Sequence, residues 1–277
     1  MFRLLNIEFH KLKHNKASRV LSIIYFGLLT SIALIAAIKF EFGSFKLHLA
    51  DAGIFNFPYI WHFNTFVAST MKFFLLLVIV SMMANEYSNK TLKQNLIDGL
   101  SKKEFILSKF YTVVVFAAIS TVFVFVVSLI LGLIYSDYNE LVIIFSDLDF
   151  LLAFFIKLVG FFSLGLFFGI LVKRSAFAIG AMFVWWIFEW VIFGLLGWKV
   201  VSWDTAMKIK GYLPLEAMSN LIKEPGTRLN AVKSVVSQIN NDFTKNYDVQ
   251  YSDIFIVIVW TVICIYLSYA LLKKRDL

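Results

Sequence analysis

The stretch NEYSNKTLKQNLIDGLSKKEFILSK, Asn85 to Lys109, lies between two long apolar runs and carries five lysines and three acids. It is ordered more tightly than a spacer needs. NEYSNKT leaves the first run with Glu86 and Lys90 four residues apart, a spacing that favours an ion pair on a helix. TLKQNLI sets Leu92 and Leu96 on one face, with Lys93, Gln94 and Asn95 around it, and predicts a short amphipathic helix over roughly residues 88–97. Gly99 stands where a left-handed residue closes a helix. SKKE then offers Ser101 as N-cap and Glu104 three residues on, the capping box that launches a new helix. Helix, glycine stop and capped restart predict a fixed bracket between two longer elements.

Those longer elements are membrane spans. The chain has 277 residues, of which 60% are hydrophobic and 16% charged, with 31 phenylalanines; its mean hydropathy is +0.80. Soluble domains hold about 45–50% apolar and about 25% charged residues, so one soluble core cannot hide this composition. The single cysteine, Cys264, lies in an apolar run and leaves no intramolecular disulfide and no cysteine-rich metal site.

A helix needs roughly 17–25 apolar residues to cross a bilayer core. Six segments qualify, at about 18–38, 64–85, 109–135, 150–172, 175–197 and 252–272. The first is read as a retained span, because its apolar part exceeds the core of a cleaved signal and a basic stretch precedes it. Bases set the orientation. Arg3, Lys11, Lys13, Lys16, Arg19, Lys90, Lys93, Lys102, Lys103, Lys109, Lys173, Arg174, Lys273, Lys274 and Arg275 all fall on one side of this arrangement. The short loop 136–149 on the other side has Asp137, Glu140, Asp147 and Asp149 and no base. The expectation is an all-α integral membrane protein of six transmembrane helices in the cell membrane, with both termini cytoplasmic. Insertion accounts for most of the net charge of +8, so no nucleic-acid partner is required.

Before the first span, Phe2, Leu5, Phe9 and Leu12 recur at helical spacing among Arg3, His10, Lys11 and Lys13, as in an interfacial amphipathic helix against anionic lipid headgroups. Residues 199–251 form the one sizeable external loop. Pro214 opens a short helix bearing Leu215, Met218, Leu221 and Ile222, and Glu224-Pro225-Gly226 ends it. Leu229, Val232, Val236, Ile239 and Phe243 predict a second short external helix.

No phosphate-binding glycine loop followed by Lys-Ser/Thr occurs, so the chain carries no nucleotidase motif of its own. His10, His14, His48 and His62 have no ligand spacing to cysteines or acids, and no serine has a plausible histidine and carboxylate set. Neither catalytic nor metal residues are expected. Lys72, Lys157 and Glu189 fall inside the expected spans, where charge is costly and normally faces protein or water. Counted from the cytoplasmic boundary, each lies roughly 21–24 Å deep. The expectation is that Glu189 pairs with Lys157 or Lys72, as an interhelical tie or in the lining of a substrate path.

The bracket at Glu86-Tyr87, Asn89–Thr91 and Gly99–Lys109, the turn KRSAFAIG at Lys173–Gly180 and the terminal KKRDL at Lys273–Leu277 together resemble the membrane subunits of type-2 ABC transporters. The resemblance spans nearly the whole chain, through short and degenerate motifs. It implies a permease subunit of an ATP-driven exporter, paired with a second copy or a related permease, with ATP and Mg bound by a separate cytoplasmic ATPase. It also implies that Ser88–Ile97 is the coupling helix. Leu92 and Leu96 are then its apolar contacts with the ATPase and Lys90, Lys93 and Gln94 its polar ones; Glu86, Thr91, Gly99, Ser101 and Glu104 shape the bracket. The competing reading, a secondary transporter or channel driven by an ion gradient, favours repeat symmetry and spans interrupted by Gly or Pro, and neither is visible.

Overall fold

The computed structural model describes residues 2–37, 40–42, 45–47, 53–228 and 246–275. Helix α1 (Phe2–His14) is followed by α2 (Lys16–Ala37), a two-stranded antiparallel ribbon of β1 (Phe40–Phe42) and β2 (Phe45–Leu47), α3 (Tyr59–Thr70), α4 (Lys72–Ser88), α5 (Thr91–Ile97) and α6 (Lys102–Tyr135). Then come α7 (Leu141–Ile144), α8 (Asp149–Val172), α9 (Ser175–Lys199), α10 (Trp203–Lys210), α11 (Pro214–Asn220), a short 3-10 turn at Gly226–Arg228, and α12 (Tyr251–Lys274).

Among the described residues, Lys102–Tyr135, Leu141–Val172, Ser175–Lys199 and Tyr251–Lys274 are each long and apolar enough to cross a membrane, and α3 with α4 makes a fifth if counted as one span. The expected first span falls on α2, where the side chains of residues 33 and 35–37 lie outside the description. The expected helix at Leu229–Phe243 and the last two residues of KKRDL lie outside the described residues as well.

The segment expected as the second span is not one straight helix: α3 and α4 meet at 45° across Met71. The cause is local. Ser69 and Thr70 turn their hydroxyls back onto the carbonyls of Phe66 and Val67, and the backbone there tightens to three-residue bonds from Met71 to Ala68 and from Phe74 to Met71. Back-bonding of this kind bends helices.

Helix α8 is the hub, touching α3, α4, α6, α9, α11 and α12. Its most apolar stretch is 78% buried, against 11% for that of α9. A helix apolar on all sides belongs in a core, and three glycines let its neighbours close in. A Cβ on Gly165 would meet Leu76 Cδ1 at 2.3 Å, one on Gly160 would meet Val257 Cγ1 at 2.7 Å, and one on Gly169 would meet Met83 Cβ at 3.2 Å. Small residues allow such approach where lipid supplies no hydrophobic drive between helices.

The segment after α9 is fastened to the bundle. In α11, Ala217 and Met218 are buried, as are Leu221 and Ile222 just beyond it, so this predicted helix plugs the bundle between α8, α9 and α12. Helix α10, which was not expected, packs along α9; Ser202 is its N-cap and accepts from Thr205 N. His62 of α3 stacks on Phe150 and is hydrogen-bonded through Nε2 to the Lys223 carbonyl.

Candidate functional site

The bracket forms as a rigid turn, one step shorter than its sequence suggests. Helix α4 runs on to Ser88, and Lys90 adopts a left-handed conformation, φ 56°, so α5 begins at Thr91 and not at Ser88. The expected Glu86–Lys90 ion pair does not form among the described residues, because the left-handed residue takes Lys90 off the helix that carries Glu86. At its other end α5 closes in a Schellman motif, with Gly99 N donating to the Leu96 carbonyl and Leu100 N to the Asn95 carbonyl. Gly99 takes φ +97° there. Ser101 and Glu104 form the capping box: Glu104 N donates to Ser101 Oγ at 3.2 Å, and Ser101 N to Glu104 Oε2 at 3.0 Å.

What fastens the bracket is a buried ion cluster. Lys109 of α6 has no exposed surface, and its Nζ lies 2.6 Å from Glu86 Oε1 at the end of α4 and 2.6 Å from Glu8 Oε2 on α1. Lys11 Nζ reaches the same Glu86 oxygen at 2.9 Å and lies 3.8 Å from Glu8. Thr91, the first residue of α5, donates its hydroxyl to Glu86 Oε2 at 2.5 Å. Two carboxylates thus meet two ammonium groups, with a hydroxyl on the remaining oxygen of Glu86. That balance is what makes burial of such groups tolerable. A second tie lies alongside: Arg275 donates to the Tyr87 hydroxyl at 3.2 Å and to the carbonyls of Ile170 and Leu171, while Lys102 donates to the Arg275 carbonyl at 2.9 Å. Helix α1 and Arg275 therefore both meet α4 and α6 at one end of the bundle.

The apolar face of α5 is not available to a partner. Leu92 is 2% exposed and belongs to the protein's own core, and Leu96 packs against it. The outward residues are Lys93, Gln94 and Ile97, and Ile97 is 74% exposed. Leu92, which the resemblance assigned to contact with the ATPase, packs in the protein's own core, and Leu96 is half-buried beside it.

Glu8, Lys109, Lys11 and Arg275 went unremarked as site residues. A signal existed for the first two. Glu8 falls at the i+3 position of the stripe Leu5, Phe9, Leu12, and Lys109 falls within Phe105, Ile106, Val113 and Phe116. A lone charge on an apolar helix face needs a buried partner.

The intramembrane charges separate in the structure. Glu189 of α9 makes no ion pair with Lys72 or Lys157 among the described residues; its carboxylate instead accepts from Leu215 N at 2.9 Å, Glu216 N at 3.1 Å and Trp185 Nε1 at 2.9 Å. The first-turn amides of α11 lack intrahelical acceptors, and Glu189 supplies one from a neighbouring helix. Lys72, at the start of α4, lies 4.6 Å from the Phe161 ring centroid. Lys157 is 3% exposed on α8. Among the described residues, no group of His, Cys, Asp and Glu has metal-binding geometry.

Four or five helices long and apolar enough to cross a membrane, packed around the central α8, define a multi-pass membrane protein. Residues 73–277 match the family described as ABC-2 family transporter protein, and the chain belongs to that family. It is the membrane permease component of an ABC transporter, a family whose membrane component is not itself catalytic and which in general implies a cytoplasmic ATPase partner. No curated protein matches the chain.

Proposed function

We propose that this permease works as one of a pair in an ATP-driven exporter, and that a separate cytoplasmic ATPase docks on the α5 bracket. The carrying observation is the clamp: Glu86, Thr91 and Lys109 tie α5 to α4, α6 and α1, so a push on α5 is delivered to three helices together. Lys93, Gln94 and Ile97 form the docking face, in place of Leu92 and Leu96. Helix α2 is the sixth span in this reading. The end with the bracket and both termini is cytoplasmic, as the distribution of bases favours. Helix α1 lies at the inner interface with its basic face toward lipid. The thinly covered aromatic face of α9, with Phe183, Trp186 and Trp190 outward, is available to the second permease or to lipid. ATP and Mg belong to the partner, whose closure shifts the pair between inward and outward forms.

The test is co-purification with a candidate ATPase, using Ile97→Asp and Lys93→Glu. Both variants are expected to fold, to lose the ATPase and to lose permease-dependent stimulation of ATP hydrolysis. Leu92→Asp should instead lower the yield of folded protein, because it buries a charge. Full binding and stimulation by the Ile97→Asp, Lys93→Glu double variant would remove α5 as the docking element.

A further inference from the structure

Between α4, α8, α9 and α11 lies a cavity of about 400 Å³, lined among others by Lys72, Leu76, Phe161, Ile179, Met182 and Trp186. Its size falls within the range of about 300–1,000 Å³ that holds small amphiphilic or drug-sized ligands. The walls are apolar and aromatic, and the charge balance inside is lopsided. Lys72 Nζ rests over the Phe161 ring at 4.6 Å and has no carboxylate partner among the described residues. One turn earlier on α8, on the same face as Phe161, stands Lys157, which is buried and has no ion pair among the described residues. The two carboxylates nearby are committed elsewhere. Glu189 accepts three N–H groups, and Glu216, which also lines the cavity, holds Lys210 at 3.0 Å. A lysine at span depth among apolar walls, with no carboxylate partner among the described residues, calls for an anion.

We propose that this cavity binds an anionic amphiphile, its headgroup on Lys72 and its apolar tail along Leu76, Ile179 and Trp186. The ring of Phe161 orients the lysine by cation–π contact while leaving its N–H donors free for sulfate, phosphate or carboxylate oxygens. The site is read by binding alone and does not depend on coupling to an ATPase.

The test uses the full-length chain in phosphatidylcholine nanodiscs, titrated with dibromostearyl sulfate, which is permanently charged, and with dibromostearyl alcohol of the same tail. Bromine quenches nearby tryptophan, and Trp186 lines the cavity. The sulfate should bind about tenfold or more tightly than the alcohol, the equivalent of one useful ion contact. Lys72→Met should abolish that preference, and Lys72→Arg should keep it. Ile179→Trp should fill the cavity and remove binding of both probes. Adding phosphatidylglycerol separates two sources of the anion. Competition assigns the site to a bilayer lipid, its absence to a free amphiphile, and either supports the site. Equal affinity for sulfate and alcohol would overturn the proposal, as would a sulfate preference that survives Lys72→Met. Should Lys72→Met fail to fold, sulfate binding unchanged by Ile179→Trp is the overturning result.

Discussion

Replacing Lys109 by methionine tests the clamp most directly. Methionine keeps much of the volume of the stem and removes an ammonium group lying 2.6 Å from Glu8 and 2.6 Å from Glu86. Glu86 still has Lys11 at 2.9 Å, but Glu8 has it only at 3.8 Å, and the Lys11 side chain is 36% exposed and partly screened by water. Removing one partner from a buried ion group costs about 3–5 kcal/mol. At roughly 2–4 °C per kcal/mol for chains of a few hundred residues, the unfolding midpoint should fall by about 6–20 °C. The residual contact with Lys11 places the expectation in the lower half of that range. The assay is intrinsic-fluorescence melting of purified protein in detergent and again in nanodiscs. Adding Glu8→Gln to Lys109→Met withdraws one of the stranded negative charges, so the double variant should melt above Lys109→Met alone, with a coupling of about 1–3 kcal/mol. A single-variant midpoint within about 2 °C of wild type, or additive effects in the cycle, would show that the cluster does not hold the bracket.

Two further expectations use changes of opposite character. Gly99→Ala and Gly180→Ala both add a methyl group to open space, but Gly99 has φ +97° and Gly180 lies within α9. The first should cost about 1–2 kcal/mol through left-handed backbone strain, while the second should be neutral or stabilising by up to about 1 kcal/mol; melting of the two variants side by side checks the sign. Glu189→Leu should strip the acceptor from Leu215 N, Glu216 N and Trp185 Nε1 and speed amide exchange across Leu215–Ser219, at about 1–3 kcal/mol for each donor left unpaired. Combined with Lys157→Met its effect on melting should add, and a marked departure from additivity would restore the pairing of Glu189 with that lysine.

Local chemistry was legible in the sequence and tertiary choice was not. Gly99 and the Ser101–Glu104 box could be read because each acts within a few residues of chain. The pattern of Leu92 and Leu96 fixed a helix, yet periodicity does not say whether its apolar face meets the protein's own core or a partner. Glu86 illustrates the same limit. The i+4 rule offered Lys90, but a single left-handed residue removed that partner, and the bond went to Lys109, 23 residues on, and to Lys11, 75 residues back. For Glu189 the obvious partners were lysines at similar depth. The actual donors are backbone amides 26 and 27 residues further along the chain, which have no side-chain signature at all. The joint between α3 and α4 was not foreseen, because it arises from hydroxyl back-bonding at Ser69 and Thr70, which leaves no mark in the hydropathy.

The break at Met71 has a mechanical consequence. Helix α6 is one uninterrupted strut of 34 residues, about 51 Å long. It is pinned to the α3–α4 pair at one end by Lys109 and Glu86. At the other end Asn56 donates to Asp137, and Phe57 N donates to Ser136 Oγ. A straight member and a jointed member fixed together at both ends make a frame with one soft coordinate, the angle of the joint. Load applied at the bracket that does not tilt the whole frame must open or close that angle. The residue immediately past the joint is Lys72, so the compliance of the frame is delivered at a residue that lines the cavity.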